Sequence, residues 1–155
     1  MVEIESYNSS YALGFAYEDT VRKAFISNRL EKGEALLVHD SGLMLYDRIS
    51  FFGASSDGHV TCKSVDLNCV GFVEIKCPFS IDKASAINFP SAEIAQKFGK
   101  KFFLKMGENG ELSLHKGHVF YAQVDRETAV LNVDWLDLVV FRGWGLGWVG
   151  VVHVE

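Results

Sequence analysis

The stretch SSDGHVTCKSVDLNCVGFVEIKCP, from Ser55 to Pro78, decides how this chain is read. An Asp-Gly pair sits near its start, and a Glu-Ile-Lys triplet set among apolar residues closes it, with Glu74 seventeen positions after Asp57. Charged side chains are uncommon inside a strand that otherwise reads as core. The pattern predicts an Asp-Gly turn followed by two strands, roughly 58–63 and 70–77, joined as a hairpin. Side chains in a strand alternate faces, so Phe72, Glu74 and Lys76 share one surface while Val73, Ile75 and Cys77 turn the other way into apolar packing. A hairpin midpoint between Val65 and Asp66 sets Asp57 opposite Glu74, where cross-strand Cβ atoms lie ~5 Å apart.

Two carboxylates at that separation repel each other unless a cation lies between them. Oxygen-only ligands suit Mg²⁺ or Mn²⁺. The Ile75 carbonyl is a third candidate ligand, because its side chain is turned away. Lys76 is placed to orient or help deprotonate an attacking water. Together these are the parts for metal-assisted hydrolysis of a phosphodiester: a Lewis acid, a polarised water and a cation near the developing charge. The small residues 53–56, GASS, leave room for a bulky backbone substrate. The plainer alternative is an exposed strand carrying an ordinary Glu/Lys pair beside a turn.

At 155 residues the chain is one domain's worth, 1–155, able to bury ~70% of its unfolded surface. Apolar residues make up 48%, with twelve Phe, so a packed core is expected. Fifteen basic against twenty acidic residues give a net charge of −5, which argues against a broad basic surface coating nucleic acid. A small site that collects its own cations remains open. Cys62, Cys69 and Cys77 lack C-x-x-C spacing and read as reduced thiols, not as a zinc or iron–sulfur set. The first residues lack a signal peptide's regions, and no apolar run approaches ~20 residues, so an intracellular, soluble protein is expected.

Along the chain, Leu13, Tyr17, Val21, Phe25 and, one step off register, Leu30 have helical spacing, with Gly33 as the stop. Residues 35–55 alternate around Asp40-Ser41-Gly42, which predicts a hairpin. A short helix near 91–99, a hairpin around Asn109-Gly110, a helix over 116–132 and two closing strands follow. Helix, strands, helix, strands predicts an α/β sandwich with a mixed central sheet, not a doubly wound one. Lys97 to Lys105 interleaves four lysines with aromatics, a pattern that could follow a phosphate backbone or simply be a solvated helix end.

Taken jointly, SSDG…GFVEIKCPFS resembles the S-P-D-G…E-I-K-C-P signature of the YqaJ-like viral recombinase family, which includes the lambda-type exonucleases of the PD-(D/E)-x-K nuclease superfamily. The resemblance implies a restriction-endonuclease-like core of mixed sheet flanked by helices. It makes Asp57, Glu74 and Lys76 the catalytic set. GFAYEDTVRKAF resembles the family's first-helix segment and makes Glu18 a further metal-holding acid, while LHKGHVFYAQVDRE resembles a segment that carries over His118, Tyr121 and Gln123. In the family this glutamine completes the active site beside the lysine. Ser56 replaces the usual proline, and Asp125 stands where a second glutamine is common. Only about thirteen residues precede Gly14, where family members carry an Arg and a T-A-S-like motif that helps hold the DNA end.

The implied activity is a Mg²⁺- or Mn²⁺-dependent deoxyribonuclease, an exonuclease on linear duplex ends leaving 5′-phosphates, in recombination, repair or viral-type DNA processing. A homo-oligomer or a recombination partner protein is implied with it. Without the upstream segment, cutting is expected to be distributive. The rival reading is a non-catalytic DNA-binding or recombination-partner module that keeps the nuclease fold. Outside the resemblance, Glu18 and Gln123 read as solvated helix positions, Tyr121 as packing, and His118 as a residue near the site or against DNA.

Overall fold

The computed structural model describes residues 2–46, 48–49, 51–63, 70–77, 102–108, 111–142 and 147–155, with the backbone alone over 2–16, at 142 and over 147–149. Its centre is a strand that does two jobs. β5 (Val70–Lys76) lies in the middle of a sheet formed with β1 (Leu36–His39), β4 (Gly58–Cys62), β8 (Leu136–Arg142) and β9 (Gly147–Val154), in the order β1-β4-β5-β8-β9. β5 runs parallel to β8 and antiparallel to β4, so the sheet is mixed as expected. The parallel pair needs a crossover. The chain supplies it with β6 (Leu104–Met106), β7 (Leu112–Leu114) and helix α2 (Val119–Leu131).

Alternation along β5 sorts its side chains into two cores. Val73 and Ile75 join Leu36, Val60, Val139 and Phe141 against Val21 and Phe25 of helix α1 (Val2–Glu31). Phe72 joins Leu136, Leu138, Val140 and Val152 against Val124 and Leu131 of α2. Both faces of the sheet are therefore covered, which explains the near-continuous apolar run of β8. The restriction-endonuclease-like expectation of a mixed sheet flanked by helices is the architecture observed.

Helix α1 ends as its sequence predicts. Gly33 adopts φ +84°, its N–H donates to the Leu30 carbonyl, and the Glu34 N–H reaches back to Arg29, the paired bonds of a Schellman stop. Leu30, read as part of the apolar stripe, is instead 61% exposed, because its step off register carries it past the packed face. The helix also begins earlier than the apolar pattern, at Val2. No proline or glycine interrupts the chain before Gly14.

The hairpin predicted at Asp40-Ser41-Gly42 does not form. β1 pairs with β4, while β2 (Met44–Leu45) pairs with β3 (Gly53–Ala54) in a separate ribbon. Alternation identifies a strand but not its partner. β4 offers the buried Val60 beside Leu36, whereas both residues of β2 are exposed. The β6–β7 hairpin forms as predicted, with Leu104 paired to Leu114 and Met106 to Leu112; Asn109 and Gly110 lie outside the described residues. So does the helix expected near 91–99. Of the lysine-aromatic stretch, Phe102 and Phe103 are buried in the α2-side core while Lys105 is exposed, so these aromatics serve packing, not stacking on bases.

The reading of all three cysteines as reduced thiols is also revised: Cys62, at the end of β4, is disulfide-bonded.

The Asp57-Gly58 pair is not a hairpin turn. Asp57 lies in a bend, and Gly58 is the first residue of β4, buried between two neighbouring strands. A Cβ placed there would stand 2.7 Å from Val38 Cγ1 and 2.8 Å from Val73 Cγ1, so the glycine is demanded by close approach. Valine is stiff at χ1 and cannot swing aside cheaply. Gly58→Ala is expected to destabilise the fold by roughly 1–3 kcal/mol through overpacking. Chemical denaturation would measure this, with Gly58→Ala/Val38→Ala recovering part of the loss; equal stability of Gly58→Ala and the unaltered protein would show the contact to be slack.

Candidate active site

The hairpin register predicted for β4 and β5 is the one observed, since Gly58 pairs with Val73 and His59 with Phe72. Continuing it by one residue brings Asp57 to the level of Glu74. The Asp57 side chain turns over the strand end, and its Oδ2 accepts the Ile75 N–H at 2.7 Å. The Ile75 side chain points into the α1-side core, as its place in the strand requires.

Glu74 is 4% exposed, so the polar face read from the sequence is a buried carboxylate under helix α2 and not an open surface. Its Oε1 accepts Lys76 Nζ at 2.6 Å and Gln123 Nε2 at 2.7 Å. Its Oε2 is buried without a hydrogen-bond partner. Lys76 Nζ also lies 5.1 Å from the centre of the Phe120 ring, a cation–π contact that restrains the ammonium over α2. Asp57, Glu74, Lys76 and Gln123 are thus brought together from three separate elements.

Glu18 stands apart. It forms an ion pair with Arg22, which also holds Asp40 beyond β1. Its charge still reaches Asp57, as the weakest of the forces raising that carboxyl's pKa. His118 caps α2, its Nδ1 accepting the Phe120 N–H at 3.2 Å, and its ring packs on Phe103 and Phe120. The structure gives His118 a capping role, and its ring reaches toward the site through Phe120, which lies against Lys76. Tyr121 is partly buried against the α2-side core, as packing predicts. Ser56, in the family's proline position, is buried and its hydroxyl donates to Ser41 Oγ at 3.1 Å.

One acid was missed. Glu127 is 6% exposed, and its Oε1 accepts Gln123 Nε2 at 2.8 Å while its Oε2 has no partner. The signal was present in the sequence: Glu127 lies one turn after Gln123 and occupies an apolar stripe with Val124 and Leu131. Phe120 was missed too, being indistinguishable from core by residue type alone.

Burial, reinforced by the charge of Glu74, pushes the Asp57 carboxyl up to about 6. The same two causes push Glu127 up to about 7. The Ile75 N–H and Lys76 act against the rise at Asp57, but they do not cancel it. A buried acidic cluster with two orphaned carboxylate oxygens suits a hard divalent cation. Among the described residues, no group of three or more His, Cys, Asp or Glu side chains is spaced to hold a metal ion in this arrangement. A cation at Asp57 and Glu74 would accordingly complete its shell with main-chain oxygen or water.

A cleft of about 400 Å³ opens beside these residues, bounded by Gly53, Ala54 and Ser55 on one side and by Gln123, Arg126 and Glu127 of α2 on the other. Three of the small residues preceding Asp57, Gly53 to Ser55, line this cleft. Arg126 is exposed at its edge. None of the described helices is long and apolar enough to cross a membrane.

The fold has counterparts among solved structures. The chain shares its fold with an alkaline exonuclease, LHK-Exo, from Laribacter hongkongensis, at a TM-score of 0.53 and 23% identity over 91% of this chain and 55% of that one. LHK-Exo in complex with dAMP matches at a TM-score of 0.54 and 21% identity, over 94% of this chain and 56% of that one. The chain spans about half the length of these structures. No family model matches the sequence, nor does any curated protein. The family resemblance drawn from the motifs and this likeness of fold agree.

The raised carboxyls set a pH dependence. Asp57 and Glu127 hold their protons to higher pH when folded than the ~4 typical of an unfolded chain. Between about pH 4 and 7 the native state therefore binds more protons than the unfolded one, and stability falls as pH rises. Below that window both states are protonated and no penalty applies. Thermal melts of metal-free protein should show a higher Tm at pH 5 than at pH 8, with a shallower decline in Asp57→Asn and Glu127→Gln. A decline equally steep in both variants would assign the pH dependence elsewhere.

Proposed function

We propose that this chain is a Mg²⁺- or Mn²⁺-dependent deoxyribonuclease that hydrolyses phosphodiester bonds from the ends of linear duplex DNA. The observation that carries this reading is the convergence of Asp57, Glu74, Lys76 and Gln123 beside an open cleft. The fold likeness to an alkaline exonuclease, one of whose structures is a complex with dAMP, supports the same reading.

Asp57, Glu74 through its unpartnered Oε2, and the Ile75 carbonyl would hold the cation, with Glu18 as a further acid near it. When bound, the metal supplies Lewis-acid polarisation and neutralises the charge that develops on phosphate. The protein's own groups do the rest. Lys76, held between Glu74 Oε1 and the Phe120 ring, orients the attacking water and offers positive charge to the transition state. Gln123 fixes the Glu74 carboxylate from the opposite side. Gly53, Ala54 and Ser55 leave the cleft wide enough for a nucleic-acid backbone, and the exposed Arg126 meets its phosphates.

A time course on end-labelled linear duplex, with and without Mn²⁺, tests the activity. The expected outcome is metal-dependent loss of linear DNA with closed circles spared; rapid nicking of circular plasmid would favour an endonuclease, and no DNA loss at all would favour the non-catalytic module. Lys76→Gln keeps a donor to Glu74, and Asp57→Asn keeps an acceptor for Ile75. Both should melt cooperatively yet lose cleavage by roughly 10²–10⁴-fold. Full cleavage by folded Lys76→Gln would remove the lysine from the mechanism.

Metal choice gives an independent check. Mg²⁺ and Mn²⁺ should support cleavage, whereas Ca²⁺, with longer bonds of ~2.3–2.6 Å, should support it poorly. Calorimetric titration of Glu74→Gln with Mn²⁺ should show markedly weaker binding than the unaltered protein. Equal affinity would mean that Glu74 is not a ligand.

A further inference from the structure

Glu127 is held where a carboxylate is expensive. It is 6% exposed, it lies in an otherwise apolar stripe of α2, and only one of its oxygens has a partner. A leucine or methionine would fill the same volume without the desolvation cost. Its one hydrogen bond goes to Gln123, whose Nε2 is shared between Glu127 Oε1 at 2.8 Å and Glu74 Oε1 at 2.7 Å.

An amide nitrogen has two hydrogens, and an ionised carboxylate only accepts. With an accepting carboxyl oxygen on each side, Gln123 presents its nitrogen, not its oxygen, to both acids, and both of its hydrogens are spoken for. Were Glu127 absent, Gln123 would keep only its contact with Glu74, and nothing on the far side would stop the side chain from swinging off Glu74 Oε1. On the other side, Lys76 Nζ donates to that same Glu74 Oε1 at 2.6 Å. Two donors converging on Oε1 leave Oε2 as the oxygen without a partner.

We propose that Glu127 is a positioning residue for the Glu74 carboxylate, acting through the Gln123 amide so that Glu74 Oε2 stays available to a divalent cation. This rests on the metal-dependent reading above. The role differs from that of a fourth negative charge which merely raises cation affinity at a distance, and the two make opposite forecasts for conservative variants. Glu127→Gln keeps the length and an acceptor oxygen but loses the charge. Glu127→Asp keeps the charge but is one methylene too short to meet Gln123 unaided.

The test is calorimetric titration of the full chain with Mn²⁺ alone, without DNA, for the unaltered protein, Glu127→Gln, Glu127→Asp, Gln123→Ala and Gln123→Ala/Glu127→Asp, each checked by its melting curve. Positioning through Gln123 predicts Mn²⁺ affinity within about threefold of the unaltered protein for Glu127→Gln and at least tenfold weaker for Glu127→Asp. It also predicts that Glu127→Asp adds less than about twofold once Gln123 is alanine, because the two residues act on one path. The reverse order, weak Glu127→Gln and unaltered Glu127→Asp, would overturn the proposal in favour of a charge effect. Full additivity of the two substitutions would overturn it equally. Absence of Mn²⁺ binding by the unaltered protein would overturn the metal reading and this inference together, whereas normal binding that no Glu127 variant alters would overturn this inference alone.

Discussion

The buried carboxylate of Glu74 is the constraint around which the other parts of the site are arranged. It sits on the central strand of a sheet covered on both faces, at 4% exposure, where an isolated charge would be costly. Lys76, two residues along the same strand, supplies one compensating donor, which strand periodicity provides at no cost in topology. The second donor, Gln123, must come from another element. Helix α2 therefore has to dock at a fixed height over β5, and several unrelated-looking features serve that end. His118 caps its first turn, Phe120 lies under the Lys76 ammonium, and Val124 and Leu131 anchor the helix in the core shared with Phe72 and Leu138.

The opposite face of the sheet places the second carboxylate. Asp57 has no strand of its own; it is carried at the lip of β4, and its position depends on how closely β4 lies between β1 and β5. Gly58 allows that closeness, and the Ile75 N–H then holds the Asp57 side chain over the end of β5. Val73 and Ile75, alternating with Glu74 and Lys76, grip the α1-side core and keep the strand from sliding. A one-residue slip would exchange the two sets of side chains, putting charge into one core and apolar surface at the site. Register and chemistry are thus the same requirement on β5.

The acids share one electrostatic field. Asp57 and Glu127 are both raised by burial and by Glu74, so the metal-free site stores repulsion that protonation or a cation relieves. The cleft beside them, with small residues on one wall and Arg126 at its edge, opens next to this field. In a chain of net charge −5, the fold thus concentrates part of the acidic charge at the end of one strand.

Much of this was written in the local sequence. The alternation of Phe72 to Cys77, the β4–β5 register, the Gly33 stop and the spacing of Asp57, Glu74 and Lys76 all follow from periodicities of two and 3.6 that neighbouring residues enforce by themselves. What local pattern could not contain was partnership at a distance. It paired β1 with the wrong strand, because alternation carries no address, and it took Asp57-Gly58 for a turn, because the crowding that demands a glycine comes from Val38 and Val73. Glu127 was missed in the local pattern, and nothing in that pattern showed that His118 caps α2. Only when α2 is laid across β5 does Glu127 become a buried neighbour of Gln123, and only then is the Glu74 face closed to water, since burial and its electrostatic consequences belong to the packed elements together and to no single one of them.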